Sequence, residues 1–205
     1  MSTWYQEMFG DPNFWQAWID RLHELRQGPL STATIAAYID EFANQLNPGN
    51  AVDTPAKRSA QRWSVSAPRP ATSNTPITNN SFDGQYTGEV TWLKYWWERR
   101  LAFMDSQVTR PAVANLPQGQ VPAGTMVTLS SPSQSQAGVK IYYTTDMTDP
   151  RPRAPGPVLS PSAIEYTAPI VITAPTHLYI RTWNPATLPL VGSGWSAPTV
   201  LYYYP

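Results

Sequence analysis

The stretch VKIYYTT, residues 139–145, decides the fold of the second half of this chain. It is filled with β-branched and aromatic side chains and bordered by turn-forming residues, which is typical of a β-strand. TMVTLS, residues 125–130, has the same character. Turns spaced about every 8–12 residues predict an antiparallel immunoglobulin-like β-sandwich over residues 109–205, with a small barrel as the alternative. The remaining predicted strands are 164–167, 170–173, 178–183 and 199–204.

The first half of the chain is predicted to be helical. Asp11-Pro12 is a strong helix start, because Asp accepts free backbone N–H groups and Pro has none to leave unpaired at the first helical position. That helix is expected to run to about Gln27, since Gly28-Pro29 follows. Further helices are predicted over 31–46, capped by Ser31 or Thr32, and more weakly over 54–63.

A last helix, about 86–105, carries apolar side chains on two opposite faces. On a helical wheel one face holds Val90, Leu93, Trp97, Leu101 and Met104. The other holds Trp92, Tyr95, Trp96 and Phe103. A helix with two apolar faces must be covered twice. The second face is therefore expected to meet the C-terminal half or a surface outside this chain.

Composition changes near Val108–Pro111, where a domain boundary is predicted. Fifteen of the 22 prolines lie in residues 109–205, whereas seven of the nine tryptophans lie in residues 1–108. The predicted domains are therefore 1–108 and 109–205. Residues 64–85 are rich in Pro, Ser, Thr and Asn, and they predict a mobile loop.

Charge and cysteine content exclude several classes of function. The 14 basic residues equal the 14 acidic residues in number, so nucleic acid and anionic membranes are not expected as main partners. The absence of cysteine excludes disulfides, a thiolate nucleophile and Cys-ligated metal. No apolar run reaches the ~18 residues of a membrane span, and the first residues do not form a signal peptide.

Three strings in the second half resemble the chitobiase/hexosaminidase C-terminal-type β-sandwich, over about 115–204. They are IYYTTDMTDPRPR (141–153), EYTAPIVIT (165–173) and THLYIRTW (176–183). The family pattern is I-Y-Y-T-x-D-G-x-x-P followed by Y-x-x-P-I, and Met147 stands where the family usually has Gly. The resemblance implies an accessory module of a kind appended to many secreted bacterial enzymes.

The first half is similar to the C-terminal helical part of the spore-coat CotH kinase family. The similar strings are DPNFWQAWIDRLHELRQGPLS (11–31), KRSAQRW (57–63) and EVTWLKYWWERRLAFMDSQ (89–107). The matching positions are Arg62-Trp63 and Arg99 or Arg100 with Phe103-Met104. This family comprises atypical protein kinases with a Mg-ATP site, and its nucleotide-binding and metal-binding motifs lie upstream of this region. The resemblance therefore implies a non-enzymatic segment with no cofactor of its own and an upstream kinase-like body as partner.

Two tryptophans are the candidate ligand-binding residues. Trp183 and Trp195 lie near strand ends or in Gly/Pro-rich loops such as VGSGWSAP (191–198). Exposed aromatic rings in such loops stack on the apolar faces of sugars. Burial within the sandwich is the competing interpretation, and it is the favoured one.

Other chemistry-bearing residues have ordinary structural explanations. His23 and His177 lie in different predicted domains, and no Ser, Cys or carboxylate cluster joins them into a triad.

Asp20 and Glu24 share a helix face, which is expected to be solvated, with Arg21 nearby. Arg99 and Arg100 could bind an anion, but the favoured interpretation is that one pairs with a carboxylate of the helix and the other packs its stem on Trp96 or Phe103. Asp146 and Asp149 could ligate Ca²⁺, although Asx turns are the default.

Three hypotheses of function follow. The first is a non-catalytic C-terminal region of a secreted or surface CotH-kinase-like bacterial protein, with the sandwich binding, anchoring or positioning. The second is a carbohydrate-associated accessory module of a secreted enzyme, with a cell-surface polysaccharide as partner. The third is a free-standing module for protein–protein interaction. An extracellular or cell-surface location in bacteria is expected in the first two cases.

Overall fold

A computed structural model describes residues 3–49, 53–63, 86–153, 158–187 and 193–205. The predicted mobile loop, 64–85, lies outside these residues. Contacts divide the chain into two compact units. The sandwich unit comprises Met1–Glu24 and Met104–Pro205, and the helical unit comprises Leu25–Phe103. The first helices therefore group with the strands, while the predicted domain limits, 1–108 and 109–205, stay a prediction.

The strands of the sandwich unit form a mixed, mostly antiparallel β-sandwich. A five-stranded sheet has the order β2-β9-β8-β5-β6, in which β2 pairs parallel with β9 and the other pairs are antiparallel. Two antiparallel pairs, β1–β4 and β3–β7, complete it. The strands are β1 Val113–Ala114, β2 Gly119–Gln120, β3 Thr125–Val127, β4 Leu129–Ser130, β5 Lys140–Thr144, β6 Ile164–Glu165, β7 Ile170–Ile172, β8 Thr176–Trp183 and β9 Thr199–Tyr204.

One hydrophobic cluster forms the core of the sandwich. Side chains from all three sheets meet in it: Ala112, Val127, Leu129, Ile141, Ile172, Leu178, Ile180 and Tyr203. Alternation along β8 places Leu178 and Ile180 in this core, so Tyr179 and Arg181 point to the opposite face of the sheet. The strands predicted at 139–145, 170–173, 178–183 and 199–204 are confirmed to within a few residues. The single strand predicted over 125–130 is wrong, because the chain divides there into β3 and β4, which pair with different strands. The strand predicted at 164–167 is shorter, and the sequence did not predict β1 and β2.

Two helices precede the strands in the sandwich unit. Helix α1, Thr3–Gly10, was not predicted. Helix α2, Pro12–Arg26, begins as predicted, because the Asp11 carboxylate accepts the backbone N–H of Asn13 at 2.8 Å. The Trp15 indole N–H donates to the Phe9 carbonyl at 2.8 Å and so ties α2 to α1. Ile19 packs with Ala197, which holds α2 close to β9.

The helical unit contains α3 Thr32–Leu46, α4 Pro55–Trp63 and most of α5 Tyr86–Ser106. Ser31 caps α3 by accepting the Thr34 backbone N–H at 3.1 Å, as predicted. The Tyr86 hydroxyl donates to the Ala43 carbonyl at 3.1 Å, and Lys94 pairs with Asp40, so α5 lies along α3.

The apolar faces within the helical unit are only partly covered. Helix α3 has no buried residue among those described. In α5, Leu101 is buried, whereas Trp96 and Phe103 on the second predicted face are exposed. Among the helices of the described residues, none is both long enough and apolar enough to span a bilayer.

Candidate functional site: a buried arginine cluster under helix α2

Arg181 is the most deeply buried charged side chain that the structure describes. It lies on the outer face of β8, opposite Tyr142 of β5, yet it is only 2% exposed. An arginine on an outer sheet face would normally reach water. Here helix α2 and the loop that follows β5 both supply carboxylates to it, within the sandwich unit.

Every N–H group of the Arg181 guanidinium has an acceptor. Nη1 and Nη2 donate to the two Asp20 oxygens at 2.8 and 2.9 Å. Nε and Nη2 donate to the two Asp149 oxygens at 2.7 and 2.6 Å. Nη1 also donates to the Ser196 carbonyl at 2.7 Å. Two fork-shaped bonds of this kind are the strongest arrangement that an arginine makes with carboxylates.

The surroundings of Arg181 keep its guanidinium positively charged. Burial lowers the pKa of Arg181, but hydrogen bonds to Asp20 and Asp149 more than offset this, and the pKa lies above its ordinary value. A group that never releases its proton is neither a general acid nor a general base. Arg181 is therefore a fixed cation bonded to acceptors from α2, from the loop after β5 and from Ser196.

Gln16 extends the cluster along α2. Its amide donates to Asp20 at 2.7 Å and to the Ser196 carbonyl at 3.1 Å. Its amide oxygen accepts the Ser193 hydroxyl at 2.6 Å. Gln16 is buried, and these three bonds satisfy both ends of its side chain. The first turns of α2 are therefore fixed to the strand end by polar contacts as well as by Ile19.

The loop after β5 is built from two aspartate turns. The Asp146 carboxylate accepts the backbone N–H of Thr148 at 3.0 Å and its hydroxyl at 2.6 Å, and these bonds lower the pKa of Asp146. Asp149 accepts the backbone N–H of Arg151 at 2.9 Å. Within the described residues no group of three His, Asp or Glu side chains could hold a metal ion. Calcium binding by Asp146 and Asp149 stays a prediction.

Met147 occupies a strained position in the same loop. Its φ is 65°, in the left-handed region where the family pattern has Gly. A side chain in this region costs about 1–2 kcal/mol relative to the right-handed conformation. The turn therefore holds Met147 in a conformation that glycine would adopt without this steric cost.

The two predicted ligand-binding tryptophans differ in exposure. Trp195 is 1% exposed and packs against Tyr142 and Trp183, with ring centroids at 5.7 and 6.5 Å. Trp183 is half-buried and pairs with Trp195 in an isolated β-bridge. Trp195 thus presents no ring face to a sugar in this arrangement, as the favoured interpretation expected. Ligand binding by either residue stays a prediction.

Each of the other candidate residues has its own local surroundings. His177 stacks on Tyr202 with centroids 4.2 Å apart, and burial lowers the pKa of half-buried His23. Arg99 lies over the Tyr95 ring at 4.8 Å, and Arg100 lies over the Phe103 ring at 5.5 Å. The packing predicted for one of them on Trp96 or Phe103 is thus present for Arg100, whereas Arg99 lies over Tyr95, a ring that the prediction did not name.

Asp20 and Glu24 were expected to share a solvated face of α2, and this prediction is wrong for Asp20. Glu24 does pair with Arg21 at 2.6 Å on an exposed surface. Asp20 instead turns to Arg181, which lies 161 positions away. Neither the Arg181 cluster nor buried Gln16 was predicted. The signal available was weak: alternation in LYIRTW places Arg181 on the outer face, but nothing in the sequence names its partners.

Comparison with known proteins identifies one module in the chain. Residues 116–188 match the family described as Chitobiase/beta-hexosaminidase C-terminal domain. No curated protein and no solved structure matches the chain. The matched residues include β5, the aspartate turns and all of β8, so Arg181 and Asp149 belong to the module while Asp20 lies outside it. Residues 116–188 are therefore similar to the chitobiase/beta-hexosaminidase C-terminal domain.

Proposed function

We propose that the β-sandwich is a non-catalytic module that positions the helical segment preceding it. The observation that supports this proposal is the bonding of Arg181 in the module. Its guanidinium forms one pair of hydrogen bonds with Asp149 in the loop after β5 and a second pair with Asp20 of helix α2. A guanidinium with every N–H group bonded has none left for a ligand. Such a group is suited to fixing a helix on a sheet.

The helical segment is the part that resembles the tail of the CotH kinase fold. A module that fixes the first turns of this helical segment is what we expect in the non-catalytic C-terminal region of a secreted or surface CotH-kinase-like bacterial protein. In this proposal the chain is not itself an enzyme and holds no cofactor, and its partner is an upstream kinase-like body. The immunoglobulin-like topology of the sandwich is part of the same proposal.

Hydrogen exchange of the full chain tests the positioning role. Asp20→Ala removes one fork and should raise the exchange rates of residues 12–24 at least tenfold, while β5 and β8 stay protected. Glu24→Ala is the matched control, because the exposed Arg21–Glu24 pair contributes little. Unchanged exchange of α2 in Asp20→Ala would contradict the proposal.

A second candidate is a carbohydrate-associated accessory module. It is favoured by the half-buried ring of Trp183 at the end of β8 and by the name of the matched family. Glycan-array binding by the full chain, lost in Trp183→Ala but kept in Trp96→Ala, would support this candidate. An array without any bound glycan would count against it.

A further inference from the structure

A second arginine beside the Arg181 cluster is buried without a carboxylate partner. Arg151 is 6% exposed. Its Nη2 donates to the Asn13 amide oxygen at 2.9 Å. Its Nε is buried and has no hydrogen-bond partner among the described residues. This guanidinium is thus held in one orientation by a neutral group, with donors left over.

The nearby carboxylates do not bond to the guanidinium of Arg151. The oxygens of Asp20 and Asp149 accept the two forks of Arg181, and Arg151 forms no ion pair with a carboxylate of the described residues. Burial, and secondly the positive charge of Arg181, lower the pKa of Arg151, and the negative charges of Asp149, Asp20 and Asp11 offset this only in part. Burying a cation without a bonded anion costs several kcal/mol, so the site is poised to gain from an anion.

Arg151 borders a cleft of about 770 Å³ on the sandwich unit. The lining contains three arginines against two aspartates, one net positive charge, and also polar side chains. A carboxylate, with a single negative charge, would neutralise the lining, whereas a phosphate dianion would leave it negative. The residues that line the cleft are Asn13, Gln16, Ala17, Asp20, Asp149, Arg151, Pro152, Arg153, Tyr179 and Arg181.

We propose that this cleft binds the carboxylate of a small acidic ligand, with the Arg151 guanidinium as its main partner. A planar fork of N–H groups matches the two oxygens of a carboxylate. Arg153 at the rim adds a second positive charge. The cleft is larger than a carboxylate alone requires, so it leaves room for a polar ligand body beside Asn13 and Tyr179, and a sugar acid is a suitable probe. This site is additional to the positioning role and does not depend on it.

Calorimetric titration of the full chain with D-glucuronate tests the proposal. The wild-type chain should bind glucuronate, and Arg151→Gln should weaken binding at least tenfold. Arg110→Gln, which removes an exposed arginine outside the cleft, should bind as the wild type does. D-glucose has the same ring without the carboxylate and should not bind. Inorganic phosphate should bind more weakly than glucuronate.

Several results would overturn the proposal. They are no binding of glucuronate by the wild type, equal binding by Arg151→Gln, glucose binding as well as glucuronate, or phosphate binding more tightly. The thermal midpoint of Arg151→Gln without ligand should equal or exceed that of the wild type, because a buried cation without a bonded carboxylate is removed. If that variant fails to fold, Arg151→Lys decides: it keeps the charge but loses the fork, and its affinity should fall severalfold.

Discussion

Arg181 and Asp20 are joined by two parallel hydrogen bonds, from Nη1 to Oδ1 and from Nη2 to Oδ2, across 161 positions of sequence. Helix α2, which precedes the matched module, is therefore attached to β8, the middle strand of the five-stranded sheet. This attachment combines a charged fork with the apolar contact of Ile19 on Ala197. The stability of the sandwich unit should depend on it.

Arg181→Gln is expected to destabilise the chain by about 3 kcal/mol, because Asp20 and Asp149 would remain close together without the cation between them. Urea unfolding followed by tryptophan fluorescence measures this change. The control is Lys140→Gln, which breaks the exposed pair with Glu165 and should cost less than about 1 kcal/mol. Equal losses in the two variants would mean that the buried forks add nothing.

Truncation of two neighbouring residues of β7 should change the stability of the chain by very different amounts. Ile172 is fully buried in the sandwich core, while Val171 on the other face is 50% exposed. Ile172→Ala should therefore cost about 2–4 kcal/mol, whereas Val171→Ala should change stability by less than about 0.5 kcal/mol. Equilibrium unfolding of both variants checks the register of this strand, and a reversed order would contradict it.

Met147→Gly should stabilise the chain by about 1 kcal/mol. Glycine takes the left-handed conformation of this turn without the steric cost that methionine bears, although it adds some entropy to the unfolded chain. Met147→Ala is the control, because alanine meets the same steric restriction and should leave the thermal midpoint unchanged. A lower midpoint for Met147→Gly would show that the exposed methionine makes stabilising contacts.

Folding stability should decline as the solution is acidified below neutrality, because of His23. Burial lowers the pKa of His23, although Asp105 and Asp20 oppose this effect. The unfolded chain then binds a proton near the ordinary pKa of about 6.5, before the folded chain does. Stability is therefore complete above this pH and is lost as the pH falls through the folded-state pKa. His23→Gln should flatten this decline, and NMR titration of the ring locates the folded-state pKa directly.

Helix α5 should tolerate a charge at Trp96 but not at Leu101. Trp96 is exposed and Leu101 is buried, so Trp96→Glu should leave the helical unit folded and reduce its binding of a hydrophobic dye. Leu101→Glu should unfold the helical unit, because an unpaired buried charge costs several kcal/mol. Circular dichroism and dye fluorescence measure the two effects, and equal loss of helix would show that Trp96 is needed for packing.

Local signals in the sequence predicted most of the helices and longer strands. Asp11 and Ser31 mark true helix starts because their side chains bond to backbone groups two or three residues away. Helix α1 was not predicted. Strands β1 and β2 were missed because two residues are too few to show alternation.

The candidate site could not be predicted in the same way. Arg181, Asp20 and Asp149 belong to different elements, and only the folded chain brings them together. The charge of each residue was visible in the sequence, and alternation placed Arg181 on the outer face of its strand. The helix that covers this face comes from outside the matched module, so the burial of Arg181 had no local signature.

The fork between Arg181 and Asp20 also has a consequence for biosynthesis. Asp20 leaves the ribosome well before Arg181, and at about 5–20 residues per second the delay is roughly 10–30 s. During this interval helix α2 has neither its ionic partner nor the strand beneath it, and Trp15, Trp18 and Ile19 remain exposed. A nascent chain with such uncovered rings is a natural substrate for chaperones that recognise apolar segments. This vulnerable period ends only when β8 and the segment carrying Ser196 and Ala197 have both been synthesised.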